Sequence, residues 1–406
     1  MTVKGRALLV LLISIFLVGN TAGIYFALTS QRSVQVWDLQ PLWQAGRWIV
    51  EGRGSPYGDE MTHLLQMQSY GRLAGEGEDP HTFAYPLYAL LLVLPLIFLP
   101  LPWAQAAWFT MLESGLVAGV LGAIKFTGWR MPGWRVLLTV IWGFLLYPVA
   151  WALVLGQISI LVFALFIATM LALQSGQEGW AGICMALTMA KPQMSFLLVP
   201  ALLLWALLRR RYRFLLFFAS TLGALLLISF LLLPGWLVEV LQAGIRYFRG
   251  QPFPPPVTLL GEAIAGDHGW AVALPLTALL LAGLAWAWWR ERASSSAPLW
   301  PICLTLVVTT LVAPRTSVVN QSSLLLPLCF LLADLTRRGR QGHLVVAMVR
   351  AVLLVGLWAI DLLCFPPSGS GVHWHAQQRV ISPILPTFLL IALATRPWWM
   401  QKRSER

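Results

Sequence analysis

Charged residues are scarce in this sequence. Only 11% of its 406 residues are Asp, Glu, Lys or Arg, whereas 58% are hydrophobic. A soluble globular domain carries about a quarter charged residues. The shortage of charge excludes a soluble domain and indicates a chain that lies in a membrane.

Cysteine is also rare, and the motifs of the common soluble enzymes are absent. The four cysteines, Cys184, Cys303, Cys329 and Cys364, lie in apolar runs without the spacing of a metal site. The sequence contains no Gly-rich phosphate loop, no Cys/His metal set and no G-x-S-x-G elbow. Two histidines, His373 and His375, are too few to ligate a metal alone, and we interpret them as interfacial packing residues.

Acidic residues are fewer than basic ones, 16 against 28, which gives a formal net charge of +12. The basic residues form short clusters between apolar runs, where they act as topology signals and headgroup anchors. This distribution argues against nucleic acid as a partner and favours contact with membrane lipid.

Long apolar runs fill most of the chain, each long enough to cross a hydrocarbon core of about 30 Å. The sequence therefore predicts an all-α polytopic membrane protein forming a single domain over residues 1–406. Residues 1–29 hold the first span, 30–82 a long outer loop, and 83–406 the remaining spans. The first run has no clear cleavage site, so we predict a span and not a signal peptide. Twelve spans are predicted near 7–29, 83–100, 103–124, 136–153, 158–174, 180–208, 214–233, 269–289, 298–313, 322–335, 344–364 and 380–397.

The basic clusters predict the orientation of these spans. Arg209–Arg213, Arg337–Arg340 and the carboxyl-terminal tail fall on the same side as the amino terminus, which makes that side cytoplasmic. Both termini are therefore predicted to lie in the cytoplasm, with the protein in the plasma membrane. The segment 125–135 disagrees, because twelve spans place its three basic residues outside.

The outer loop 30–82 contains a predicted amphipathic helix. Leu39, Leu42, Trp43, Ile49 and Val50 share one face at helical spacing, and Pro41 suits a first turn. We expect this helix to lie along the membrane surface. Prolines also interrupt two predicted spans, at Pro86, Pro95 and Pro100 and at Pro192, and such breaks need protein or water to satisfy the freed backbone groups.

Two charged residues are the main candidates for chemistry. Asp38 follows the first span and could accept a proton from an attacking hydroxyl group; the alternative is a helix-capping or turn aspartate. Lys191 lies within a predicted span, where an ammonium group is costly. It could hold a phosphate, or form a salt bridge with a buried carboxylate such as Glu113.

Other candidate residues lie in or near the outer loops. Arg315 could pair with a lipid phosphate or simply anchor at headgroups. Arg246 and Arg249 could contact a donor, although solvated surface is the simpler interpretation. Gly156 and Gln157 separate two spans, and a tight turn would explain the glycine without any function.

Several segments together resemble glycosyltransferase family 87. They are "DLQPLWQAGRWIVEGRGSPYG", "FAYPLYALLLVLPL", "GQISIL" and "AGICMALTMAKPQMSFLLVPALLLWALLRRRYR", with a weaker similarity at "APRTSVVNQSSLLLPL". The resemblance implies the GT-C fold and a polyprenyl-phosphate sugar as donor, without any certain cofactor.

The resemblance also implies a role for one residue, Asp38. Asp38 becomes the catalytic base of an inverting hexosyl transfer, with mannose or a similar sugar moving to a glycolipid or glycan acceptor of the cell envelope. Histidine is missing from "APRTSVVNQSS", which departs from the mannosyltransferases of the family. Apart from the resemblance, the residues expected to bind substrate are Lys191, Arg315, Gln157, Tyr57, Tyr85, Arg246 and Arg249.

Three questions stay open at the level of sequence. A divalent metal could bind loosely to the acidic residues of the first loop, which are Asp59, Glu60, Glu76, Glu78 and Asp79. A transporter or a lipid or sugar flippase would also have many spans and broken helices. A non-catalytic membrane scaffold is the third possibility.

Overall fold

The computed structural model describes residues 3–30, 38–75, 78–250, 254–292, 297–314, 316–364 and 378–395. Every regular element within these ranges is helical, and none of the described residues forms a strand. The α-helices are α1 (Val3–Ser30), α2 (Leu39–Val50), α3 (Asp59–Tyr70), α4 (Leu101–Phe126), α5 (Gly133–Leu145), α6 (Tyr147–Val154), α7 (Ser159–Gln174), α8 (Glu178–Leu187), α9 (Pro192–Ser195), α10 (Leu198–Leu208), α11 (Tyr212–Leu232), α12 (Trp236–Gly250), α13 (Pro256–Ala265), α14 (Trp270–Arg290), α15 (Leu299–Val312), α16 (Leu325–Thr336), α17 (Gly339–Cys364) and α18 (Ile384–Ala394). Short 3-10 helices cover Leu87–Leu92, Leu94–Leu96, Thr188–Ala190, Gly266–His268 and Val318–Leu324.

The helices have the lengths and surfaces of a multi-pass membrane protein. Five helical segments of the described chain are long and apolar enough to cross a membrane, and the bent pair α5 and α6 raises this to six. Large apolar side chains such as Leu231 and Leu363 are 75% and 81% exposed. In water such surfaces would aggregate, whereas in a bilayer they face acyl chains. The predicted polytopic all-α fold is confirmed, whereas the predicted number of twelve spans is not confirmed.

Polar contacts fasten the first helix to the bundle. Asn20 of α1 donates to the Glu113 carboxylate of α4 at 2.5 Å, and the hydroxyls of Thr21 and Thr110 lie 2.9 Å apart. Closer to the carboxyl end of α1, the ring of Tyr25 stacks on that of Trp103, with ring centroids 3.9 Å apart. The two helices therefore run antiparallel, and Glu113 is bound by Asn20.

The prediction of a second membrane span at residues 83–100 is wrong. This segment is built of short 3-10 turns instead of an α-helix, because Pro86, Pro95 and Pro100 interrupt helical hydrogen bonding. Both of its ends contact the first loop. The Tyr57 hydroxyl donates to the Tyr85 carbonyl at 2.8 Å, and the Trp43 indole N–H lies 3.1 Å from the Leu96 carbonyl. The segment therefore packs beside the loop and does not cross the bundle.

The sixth predicted span, 180–208, is a hairpin and not one continuous helix. The helix α8 ends before Lys191, and α10 returns toward the starting side. The Arg211 guanidinium, just beyond α10, lies 3.2 Å from the Glu178 carboxylate at the start of α8. The expected break at Lys191 and Pro192 is present, but it reverses the chain direction.

These two corrections explain the anomalous basic segment 125–135. With 83–100 not crossing, α4 carries the chain from the first loop to the opposite end of the bundle. There the Arg135 guanidinium lies 3.3 Å from the His343 ring of α17, close to the basic residues Arg337–Arg340. The basic residues of 125–135 therefore share a side with the other basic clusters.

The first loop forms a helical layer at the other end of the bundle. The predicted amphipathic helix is present as α2, with Pro41 in its first turn. Leu39, Leu42 and Trp43 are buried in protein, whereas Val50 is 58% exposed. The helix α12 contacts the same layer, since the Arg246 guanidinium donates to the Tyr57 carbonyl at 2.8 Å.

Candidate functional site

Asp38 stands at the amino-terminal end of α2, where the first loop meets the bundle. Its backbone N–H donates to the Leu155 carbonyl at 3.2 Å, which fixes the start of α2 against the end of α6. The side chain makes no capping hydrogen bond to α2. The carboxylate of this half-buried residue points to a partner in another element, so capping does not explain Asp38.

That partner is Gln157, in the tight turn between α6 and α7. The Gln157 side-chain amide donates through Nε2 to Oδ2 of Asp38 at 2.6 Å. Gly156 precedes it with a φ of +71°, a left-handed conformation that suits glycine. The Trp108 indole N–H donates to the Gly156 carbonyl at 2.7 Å and secures the turn. Gly156 thus allows the tight turn, and the turn directs the Gln157 side chain toward Asp38.

Lys191 completes a chain of three side chains. Its ammonium group donates to Oε1 of Gln157 at 2.5 Å, and the residue is only 4% exposed. Lys191 has an extended backbone, with φ −132° and ψ 77°, as expected for a residue before proline. The helix break therefore turns Lys191 toward Gln157, and the predicted alternative of a salt bridge with Glu113 is wrong.

The surroundings of Asp38 change its acidity. Burial raises the pKa of the Asp38 carboxyl above its ordinary value; the positive charge of Lys191 lowers this pKa, and the negative charge of Asp79 raises it further. The net direction is upward because withdrawing a carboxylate from water penalises its charged form. A carboxyl with a raised pKa is a stronger base once deprotonated.

The arrangement suits general base catalysis. Gln157 has one amide, and its two ends are fixed by different partners: Oε1 accepts from the ammonium and Nε2 faces the carboxylate. Because Oε1 accepts from Lys191, Nε2 is directed to Asp38, and this hydrogen bond fixes the orientation of the Asp38 carboxylate. The positive charge of Lys191 is kept near the carboxylate without a direct ion pair, because the Gln157 amide lies between the two groups.

Three other predicted residues lie together in the first-loop layer. Tyr57 is buried and donates to Tyr85, and Arg246 binds the Tyr57 carbonyl. Burial and the charge of Glu239 raise the pKa of Tyr57 well above its usual range, so its hydroxyl stays protonated as a donor. These contacts connect α12 to the layer that carries Asp38.

Some predicted residues lie outside the described part of the chain. Arg315, Glu76, His373 and His375 fall in gaps between the described ranges. Arg249 belongs to the last turn of α12, and its side chain is also outside the description.

Sequence reasoning did not single out Asp79, which it named only among the first-loop acids that could bind a metal loosely. Asp79 is half-buried, accepts from the backbone N–H of His81 at 2.8 Å, and lies 3.3 Å from the Tyr247 hydroxyl. His81 has a φ of +47°, unusual for a residue with a side chain. The Asp-Pro pair at this turn, which His81 and Thr82 separate from the "FAYP" segment, was the available signal.

The other first-loop acids are differently placed. Asp59 and Glu60 occupy the first turn of α3, and the Arg72 guanidinium holds the pKa of Glu78 at about 2. No three His, Cys, Asp or Glu side chains of the described residues come together as a metal site requires.

Comparison with known proteins identifies the family of the chain. No curated protein and no solved structure matches it. The sequence model of glycosyltransferase family 87 matches residues 83–314, which is more than half of the chain. Gln157 and Lys191 lie inside the matched region, and Asp38 precedes it. The chain therefore belongs to glycosyltransferase family 87 and is a multi-pass membrane glycosyltransferase.

Proposed function

We propose that the protein transfers a hexose, mannose or a similar sugar, from a polyprenyl-phosphate donor to a glycolipid or glycan acceptor, with Asp38 as the catalytic base. The observation that carries this proposal is the hydrogen-bonded chain of Asp38, Gln157 and Lys191. It gives a carboxylate of raised pKa at the end of the bundle opposite the basic clusters. Because basic clusters mark the cytoplasmic side, the reaction is assigned to the outer face of the plasma membrane, with both termini in the cytoplasm.

The proposed reaction is one inverting displacement. Asp38 removes the proton of the acceptor hydroxyl as its oxygen forms a bond to the anomeric carbon of the donor. The bond from that carbon to the phosphate oxygen breaks, and its electron pair leaves with the polyprenyl phosphate. Phosphate is a good leaving group, so no general acid is needed.

The remaining residues have supporting roles in the proposal. Gln157 orients the carboxylate, and the Lys191 charge favours its ionised form. Lys191 and Arg315 are the proposed cations for the phosphate, whose negative charge grows as the bond breaks. Tyr57, Tyr85, Arg246 and Arg249 are proposed to shape the substrate-binding region between the first loop and α12. We further propose that residues 1–406 form one GT-C-like domain.

The test is transfer of radiolabelled hexose from polyprenyl phosphate mannose or polyprenyl phosphate glucose to endogenous lipid. Membranes contain wild type, Asp38→Asn or Asp267→Asn at matched expression. General bases contribute about 10²- to 10⁴-fold, so Asp38→Asn should lose at least about 100-fold. Asp267→Asn, which removes an exposed carboxylate of the outer side, should retain wild-type activity.

The two variants distinguish loss of chemistry from loss of folding. Asn resembles the neutral carboxyl that burial favours at Asp38, so the thermal stability of Asp38→Asn should equal or exceed that of wild type. Equal transfer by wild type and Asp38→Asn would remove Asp38 from catalysis. Absence of transfer by wild type from both donors would contradict the proposed donor class.

A further inference from the structure

One face of the helix α12 is apolar and exposed. Its side chains are between 43% and 61% exposed, and they belong to Leu237, Val238, Leu241 and Ile245. Positions i, i+1, i+4 and i+8 of a helix lie within an arc of about 100°, so these four side chains share one face. We call this face the apolar stripe. A stripe of this kind needs an apolar partner, because its contact with water is unfavourable.

The opposite face of α12 is fastened to the first loop. The Ser55 hydroxyl donates to the Glu239 carboxylate near the start of the helix, and the Tyr247 hydroxyl lies 3.3 Å from the Asp79 carboxylate farther along it. Trp236 lies on the same face and is buried. The helix therefore directs its polar contacts to the protein and its apolar stripe away from it.

These contacts also determine how α12 lies. Two positions of α12 that are eight residues apart, Glu239 and Tyr247, both reach the first-loop layer, so the helix runs along this layer. Its 15 residues span about 22 Å, which is shorter than a hydrocarbon core of about 30 Å. The apolar helix α11, which is long enough to cross a membrane, ends at Leu232, just before α12 begins. The helix α12 thus starts where the chain leaves the hydrocarbon core and does not cross it again.

The neighbouring surface of α11 indicates what covers the apolar stripe. Leu231 and Leu232, at the end of α11, are 75% and 54% exposed, as expected of a span that faces acyl chains. The apolar stripe follows this surface directly along the chain. An amphipathic helix in such a place binds lipid with its apolar face at the boundary between headgroups and acyl chains. We propose that α12 is an interfacial helix at the first-loop end of the bundle, with its apolar stripe inserted into membrane lipid.

The interfacial helix reaches both sides of the candidate site. At its start, the Trp236 ring packs edge-on against Tyr88, whose hydroxyl donates to the Met189 carbonyl at 3.1 Å, two residues before Lys191. Farther along, Tyr247 contacts Asp79. Membrane lipid therefore supports the layer that carries the candidate site. This inference depends on the placement of α12 and is independent of the donor and acceptor.

Fluorescence quenching by brominated lipid tests the placement. The background replaces by alanine the two cysteines that are not fully buried. Single cysteines at Leu241→Cys and, one turn later, Ile245→Cys carry a thiol-reactive fluorophore. Leu279→Cys, exposed in the middle of α14, is the control for the membrane core, and Glu60→Cys, exposed in the first turn of α3, is the control for water. The purified proteins are reconstituted into phosphatidylcholine vesicles with bromines either close to the headgroup or close to the end of the acyl chain.

The expected loss of fluorescence differs between the two kinds of vesicle. Labels at Leu241→Cys and Ile245→Cys should be quenched more strongly by bromines close to the headgroup. The label at Leu279→Cys should be quenched more strongly by bromines at the chain end, and the label at Glu60→Cys by neither.

Two results would overturn the inference. If neither lipid quenches the labels at Leu241→Cys and Ile245→Cys, water or a second protein surface covers the stripe instead of lipid. If both labels behave like the label at Leu279→Cys, α12 lies in the membrane core and is not an interfacial helix. Agreement between the two positions excludes a local effect of either label.

Discussion

At the scale of single residues, the site depends on the two-sided chemistry of Gln157. A carboxamide can accept at one end and donate at the other, so it connects an ammonium to a carboxylate with correct polarity at both. Neither Glu nor Leu can do this, because Glu would place a second negative charge beside Asp38 and Leu has no polar atom. Gln157 therefore keeps the Lys191 ammonium and the Asp38 carboxylate apart, while the charge of Lys191 still lowers the pKa of Asp38.

This coupling predicts that substitutions of two neighbours of Asp38, Lys191 and Asp79, shift the pH dependence of kcat/KM in opposite directions. The proposed reaction needs the deprotonated Asp38 carboxylate, so kcat/KM should rise with pH through the pKa of Asp38. Burial raises that pKa, Lys191 lowers it and Asp79 raises it. Lys191→Met should therefore move the acid limb of the kcat/KM profile to higher pH, and Asp79→Asn should move it to lower pH.

The matched controls keep the charges and change other properties. Lys191→Arg keeps a positive charge at this position, and Asp79→Glu keeps a negative one. Both should hold the acid limb near its wild-type position even if kcat falls. A limb that moves the same way in Lys191→Met and Asp79→Asn would show that the titrating group is not coupled to these charges as described.

At the scale of elements, the hairpin of α8 and α10 determines how deep in the membrane Lys191 lies. At 1.5 Å per residue, helices of 10 and 11 residues are about 15–17 Å long. Each is about half the thickness of a hydrocarbon core. A tight fit of α8 against α11 supports the hairpin, because a Cβ added to Gly182 would lie 2.6 Å from the Phe214 carbonyl oxygen and 2.7 Å from the Phe218 nitrogen.

This close approach predicts a large effect for a small substitution. Gly182→Ala should force α8 away from α11 and destabilise the protein by about 1–3 kcal/mol, as overpacking does. Gly223→Ala is the control, because its added Cβ meets nothing within 4 Å and alanine favours a helix by roughly 0.5–1 kcal/mol. Thermal unfolding in detergent should show a lower midpoint for Gly182→Ala only. Equal midpoints would mean that the helix pair adjusts freely.

The elements also show which features a sequence can predict. The helix α2 followed from periodicity, and the break at Lys191 followed from Pro192, because both signals are local. The direction of the chain after the break depends on contacts such as Glu178 with Arg211, which no local pattern contains. Apolar content alone made 83–100 resemble a span, although its three prolines already disfavoured a continuous helix.

The candidate site shows the same division between local and long-range information. Asp38 was identified as a carboxylate that follows the first span and could accept a proton, and Lys191 as a costly charge within a predicted span. Their connection through Gln157 joins residues 119 and 34 positions apart, and sequence spacing does not reveal such contacts.

At the scale of the whole molecule, the basic clusters and the candidate site lie at opposite ends of the helical bundle. Arg135, Glu178 and Arg211 lie at one end through the contacts with His343 and with each other. Asp38, α2 and α12 lie at the other end. Apolar side chains cover much of the surface between them, with Val352 and Leu279 each 68% exposed. Such a surface would allow the polyprenyl chain of the proposed donor to lie in the bilayer while its sugar phosphate reaches the polar end.

The final prediction concerns the side on which segment 125–135 lies. Because 83–100 does not cross the bundle, Arg130 should share a side with Arg209, and His268 should lie on the opposite side. We expect Arg130→Cys and Arg209→Cys, each in a Cys364→Ala background, to react with a membrane-impermeant thiol reagent only after the cells are opened. His268→Cys should react in intact cells, and the background alone should show little labelling, because two of its remaining cysteines are buried and one is partly buried. Labelling of Arg130→Cys in intact cells would instead support a crossing at 83–100 and reverse the placement of this segment.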